Sequence, residues 1–141
     1  MFSRPEDAQK AFYVALARAD IDGLMQVWAG DDEEIVCVHP GGLRLVGHVA
    51  VRESWESILK HGGLLIQAAK VSVLQTMVST TYSLIEEIRA ESPAGAEVAY
   101  CYATNVFHKG RSGWRMVMHH ASPAPEQAGA MELHDTPGTL H

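Results

Sequence analysis

Acid–base chemistry on a small molecule needs a carboxylate or imidazole held away from bulk water. The candidates in this chain are His39, Glu87 and His119, with Arg89 and Asn105 able to position a ligand beside them. His119 and His120 are adjacent in a run that reads as a strand. They therefore point to opposite faces and cannot hold one ion together. Glu87 and Arg89 lie two residues apart in another such run and share a face. A carboxylate beside a guanidinium is a base kept ionised or an anchor for a polar ligand; on an exposed face it is an ion pair of little worth. A phase slip of one residue would put Glu86 in the place of Glu87. His39 ends a short apolar strand before Pro40, Gly41 and Gly42, where it is either a titrating group at a pocket mouth or a structural histidine. Asn105 stands among Cys101, Ala103 and Phe107, so its amide should be buried and must find partners, in a ligand or in a neighbouring side chain.

Other chemistries lack their residues. His108, His119, His120 and His134 do not have chelating spacing, no glycine-rich loop follows a strand, and no nucleophile motif surrounds a serine or cysteine. Neither a metal nor a cofactor is expected. A net charge of −6 without a Lys/Arg cluster argues against nucleic acid and against an anionic membrane surface. The apolar share of 47% belongs to a globular chain, and no apolar run approaches the length of a membrane span. Cys37 and Cys101 each sit in an apolar run, as buried free thiols do. With no apolar segment behind the first residues, the reading is a cytoplasmic protein.

The elements that must position these residues follow from periodicity. Ser3 to Glu6 reads as a capping box, with Pro5 in the first turn. Ala8, Ala11, Phe12, Ala15, Leu16 and Ala19 then recur at helical spacing. Asp20 caps a second helix that carries Leu24, Met25, Val27 and Trp28. An acidic loop at 31–34 leads to short strands at 35–39 and 43–46. A third helix runs over 48–61 with Val51, Trp55, Ile58 and Leu59 on one stripe. Strand signals follow at 64–78, where the alternation is imperfect and predicts a bulge, then at 81–90, 96–108 and 114–122. Trp28, Trp55 and Phe107 are expected in the core, where they can also wall a pocket. The order predicts an α+β fold in which three N-terminal helices pack on a curved, mainly antiparallel sheet, a cone-shaped half-barrel. One domain spans 1–125. The stretch 126–141, rich in Pro, Gly and Ala without a period, reads as a mobile tail. On strand 96–108 neither face is clearly solvated, so the sheet needs a second cover, and a copy of the same chain is the simplest one.

The layout of Val27, Trp28 and Ala29, then 35–42, Gly47 and Trp55, resembles the SnoaL-like branch of the nuclear transport factor two-like superfamily. In the closing strand, Trp114, Val117, His120, Ser122, Ala124 and Pro125 match the end of the calcium/calmodulin-dependent protein kinase II association domain. Ile85, Ile88 and Arg89 resemble that domain's strand with an inward arginine. The resemblance covers roughly residues 5–125. It implies that Val117, His119 and Ala121 face the concave pocket side and that Trp114, Met116, Met118 and His120 face outward. It also implies that Glu87 and Arg89 point inward. Asn105 and Ala121 stand where the association domain has further arginines, which weakens any shared anion site. The reading is a small-molecule-binding domain with isomerase, cyclase or dehydratase-type chemistry. Glu87 would be the base, His119 or His39 the donor, and Trp28, Trp55, Arg89 and Asn105 would hold an unknown small molecule. The alternative is a non-catalytic association module. In either case a homodimer is expected through the convex face, over Tyr100, Tyr102, Met116, Met118 and His120.

Overall fold

The computed structural model describes residues 1–30 and 33–135, with 91 and 92 described as backbone only. Half of the acidic loop and the end of the tail lie outside the described residues. The helical spacing folds as expected into α1 (Pro5–Ala17), α2 (Ile21–Val27) and α3 (His48–Ile58). Pro5 opens α1, where its missing amide costs nothing. The capping box does not form: Arg4 is the cap residue, without a side-chain cap bond, and its guanidinium reaches Asp7 instead. Asp20 does cap α2, accepting from the Gly23 amide at 3.0 Å. α1 buries Ala8, Phe12, Ala15 and Leu16, and α3 buries Val51 and Trp55. Each large apolar side chain so buried contributes about 1.5–3 kcal/mol.

The strands are β1 (Val36–Val38), β2 (Arg44–Val46), β3 (Leu65–Gln75), β4 (Ser79–Ser92), β5 (Gly95–Gly110) and β6 (Gly113–Ala124). They form one open sheet in the order β2-β1-β6-β5-β4-β3. All neighbours pair antiparallel except β1 with β6, which run parallel. The helices cover one face, and the apolar core lies between that face and the helices. No helix among the described residues is long and apolar enough to cross a membrane.

Two register shifts set which side chains face inward. β3 shifts against β4 between Ala69 and Ser72, with Lys70 at a positive φ of 53°, the bulge that the broken alternation predicts. β6 shifts against β5 between Val106 and Phe107, leaving Val117 as the extra residue. Trp114 and Met116 therefore point into the core on one side of this bulge, and His119 and Ala121 do so on the other. That corrects the outward placement of Trp114 and Met116. An uninterrupted alternation cannot put both Met116 and His119 on one face, but a single inserted residue does.

Beyond β6 the chain turns once over 125–131, with the Ala128 and Met131 amides bonding back to the Pro125 and Gln127 carbonyls. Ala128 is 2% exposed. The turn lies on the outer face of the sheet, with Gly129 beside Lys70 and the Ile85 side chain. Ile85 points outward by alternation yet is buried, because this arm covers it. The first part of the stretch read as a mobile tail is thus docked on the sheet.

Candidate functional site

The inner face of β4 is set by its pairing with β5: Thr80 stands opposite Phe107, Tyr82 opposite Asn105, and Glu86 opposite Cys101. Because side chains alternate, Glu86 points inward and Glu87 and Arg89 point out. Glu86 is 2% exposed. Glu87 and Arg89 instead pair with each other at 2.9 Å beside Leu65 and Gln67, in a separate shallow depression. This corrects the expected inward placement of Glu87 and Arg89. The sequence offers two adjacent glutamates, and a phase shift of one exchanges them.

Glu86 is the end of a buried hydrogen-bond chain. Tyr13, on α1, donates its hydroxyl to Glu86 Oε2 at 2.6 Å. Having used its only hydrogen, the hydroxyl can only accept, and Asn105 Nδ2 donates to it at 2.9 Å. The second Nδ2 hydrogen goes to Gln9 Oε1 at 3.0 Å. Asn105 Oδ1 is thereby turned to His119, whose Nδ1 lies 2.6 Å away and must donate. His119 is then fixed in the Nδ1–H tautomer, with the lone pair on Nε2. A second chain fixes His39. Ser54 Oγ donates to the Val51 carbonyl at 2.8 Å, so it accepts from His39 Nε2 at 3.0 Å and leaves the lone pair on His39 Nδ1.

His39, Glu86 and His119 line one cavity of about 320 Å³ between α3 and the sheet. Its remaining wall is mostly apolar and includes Trp55, Ile66 and Ile88. The Trp55 ring meets His39 edge-on at 4.5 Å and His119 at 5.8 Å. Phe12 backs His119 at 5.1 Å. Asn105 and Trp28 are fully buried and do not line this space. Asn105 is the junction that orients Tyr13 and His119. Trp28 is a core residue bridged to Met116, and its carbonyl accepts from Arg115. A larger and more open groove of about 470 Å³ runs between α1 and β3, with Gln9 and Tyr13 on its wall. The groups suited to proton transfer meet in the smaller cavity.

Burial governs the electrostatics. Desolvation raises the Glu86 carboxyl above its usual range, and only the Tyr13 hydroxyl opposes it. Burial, then the charge of Glu86, raises the Tyr13 phenol well beyond its ordinary value, so Tyr13 is a fixed donor and not an acid. Desolvation pushes His119 down to about 3, with His39 and His120 adding to it. Desolvation also lowers His39. Both imidazoles are therefore neutral acceptors near pH 7. Cys37, buried and near Glu86, is raised to about 12 and stays a thiol.

Sequence reasoning put Asn105 and His119 on one face and expected Trp28, Trp55, Glu87, Arg89, Asn105 and His119 around one pocket with His39 at its mouth; of these, Trp55, His119 and His39 line the cavity. That reasoning missed Tyr13 and Gln9. Their signal was a polar pair four residues apart, flanking the apolar stripe of α1.

A family model described as a SnoaL-like domain matches residues 6–126. No curated protein matches the chain. Among solved structures, a proposed dehydratase of the NTF2-like family from Streptomyces avermitilis is 27% identical, with a TM-score of 0.77 over 86% of this chain and 99% of the other. A proposed calcium/calmodulin-dependent protein kinase type II association domain from Thiobacillus denitrificans is 32% identical, with a TM-score of 0.75 over 89% of this chain and 98% of the other. The hub of that kinase from S. rosetta, 15% identical, shares the fold with a TM-score of 0.69 over 84% of this chain and 93% of the other.

Proposed function

The chain belongs to the SnoaL-like domain family, and from that premise we propose that it is an acid–base enzyme acting on a small organic molecule in the His39–Glu86–His119 cavity. The observation that carries this is Glu86: a buried carboxylate that lines a cavity, accepts one phenolic hydrogen bond and, among the described residues, has no cation paired with it. A carboxyl raised by burial is suited to exchanging protons near neutral pH. Glu86 removes a proton from substrate carbon, and the electron pair of that C–H bond forms a new C=C π bond while an adjacent bond gives up its pair: an existing C=C π bond passes its pair to its far carbon, or a C–O bond breaks and the hydroxyl departs with that pair. The protonated carboxyl then returns the proton. Returned to another carbon, it completes an isomerisation; delivered to a departing hydroxyl, it completes loss of water. Tyr13 stabilises the carboxylate form, and Asn105 holds Tyr13 and His119 in place.

The test uses deuterium exchange from D2O at carbon in a panel of small alcohols, amines and carbonyl compounds, followed by NMR. Wild-type protein should promote exchange or turnover in some members, and Glu86→Gln should reduce it by about 10²–10⁴-fold. Exchange by Glu86→Gln at the wild-type rate would remove the reading.

Association is a second component. The association-domain relative supports it, as does the outer face of β5 and β6, where Val98 and Tyr102 are each 46% exposed. The proposed homodimer uses Val98, Tyr100, Tyr102, Met118 and His120; Met116, being in the core, is not part of it. The two free buried cysteines fit a reducing compartment such as the cytoplasm.

A further inference from the structure

The hydrogen bonds that fix the cavity's polar groups also fix their polarity. The Tyr13–Asn105 chain leaves His119 Nε2 as an acceptor. The Val51–Ser54 chain leaves His39 Nδ1 as an acceptor. An ionised Glu86 can only accept, and among the described residues its Oε1 has no protein partner. No lysine or arginine lines the cavity among the described residues. Glu86 and the two imidazoles thus offer acceptors with one negative charge, on otherwise apolar walls; the one other polar side-chain group among the described lining residues, the Trp55 indole N–H, is a donor buried without a hydrogen-bond partner.

From this geometry we infer that the cavity selects a ligand that brings hydrogen-bond donors and a positive charge: a protonated primary or secondary amine on a small apolar body. Such a ligand supplies the counter-ion that Glu86 lacks within the protein, because a buried carboxylate is costly until it is paired. It donates to the histidine lone pairs, and the Trp55 ring adds attraction for a cation nearby. A carboxylate ligand would bring acceptors to acceptors and a negative charge to Glu86. The inference rests on the acid–base reading of the same cavity, and it names the substrate class.

The test is titration calorimetry at pH 8 with benzylamine, benzyl alcohol and benzoate, which share a ring and differ in the head group. The expected order is benzylamine first, about tenfold or more ahead of benzyl alcohol, with benzoate weakest. Glu86→Gln should remove most of the preference of amine over alcohol. Benzoate binding as well as benzylamine, or an amine preference that survives Glu86→Gln, would overturn the inference. If the variant does not fold, the order of the three probes on wild-type protein decides. Binding is read without turnover, so the two proposals fail separately. Amine selectivity without catalysis on any compound removes the enzyme and keeps the ligand class, whereas exchange on compounds without an amine preference does the reverse.

Discussion

Asn105 makes three directed hydrogen bonds with no exposure, and each depends on the direction of the next. Asn105→Leu keeps the branched shape at a larger volume but leaves the buried His119 Nδ1–H without an acceptor. The variant should lose about 1–3 kcal/mol in denaturant unfolding, and proton exchange at carbon should fall with it. Asn105→Asp keeps the acceptor for His119 but loses the donors to Tyr13 and Gln9, and should fall between. The pH dependence of stability also belongs to a residue. His119 binds a proton at 6.5 in the unfolded chain and at about 3 in the fold. Its contribution is therefore intact above pH 6.5 and is lost as pH falls from there toward 3, by at most ~1.4 kcal/mol per pH unit. His39 acts in the same direction, while Glu86, raised in the fold, returns some stability as it takes up its proton. Melting temperature should fall from pH 6.5 to pH 5, and more shallowly in His119→Gln. Alternation made Asn105 and His119 legible as neighbours on one face. It could not choose between Glu86 and Glu87, because a one-residue phase is decided by cross-strand register and leaves no mark on the residue types.

At the scale of elements, the joint between α1 and β3 depends on the absence of a side chain. A Cβ on Gly63 would run into the Ala17 carbonyl, and the next residue anchors the approach through the Leu64 amide to the Leu16 carbonyl at 2.9 Å. Gly63→Ala should cost roughly 1–3 kcal/mol, seen as a lower denaturation midpoint with an unchanged m-value. β3 and β6 show how far element reading reaches. In β3 the bulge was legible, because its apolar residues break alternation before the turn. In β6 Trp114, Met116, Met118 and His120 give an unbroken alternation, so nothing in the sequence marks Val117 as the extra residue. Packing decided it: the bulge buries Trp114 and Met116 and still leaves His119 on Asn105.

For the whole molecule, helix count, strand order along the chain and the covered sheet were all legible, since amphipathic periods record which face each element hides. The arm over 125–131 was not, because one small residue such as Ala128 buries itself without any period. Truncation after Pro125 uncovers Ile85 and should cost about 1–2 kcal/mol, a few degrees of melting temperature. The same truncation widens the exposed outer face and should strengthen self-association in sedimentation. The topology also has a consequence in time. β6 lies mid-sheet, between β5 and the parallel strand β1, and it closes the amino-terminal layer through Ala29 to Met116 and Trp114 to Phe2. A ribosome must therefore deliver nearly the entire chain before the amino-terminal layer is closed: a nascent chain arrested before Gly113 can lay α1 on β3, β4 and β5 but lacks the strand that ties down Phe2 and Ala29. Refolding of the complete protein should accordingly be slow for its size, in the range of milliseconds to seconds set by such distant pairings.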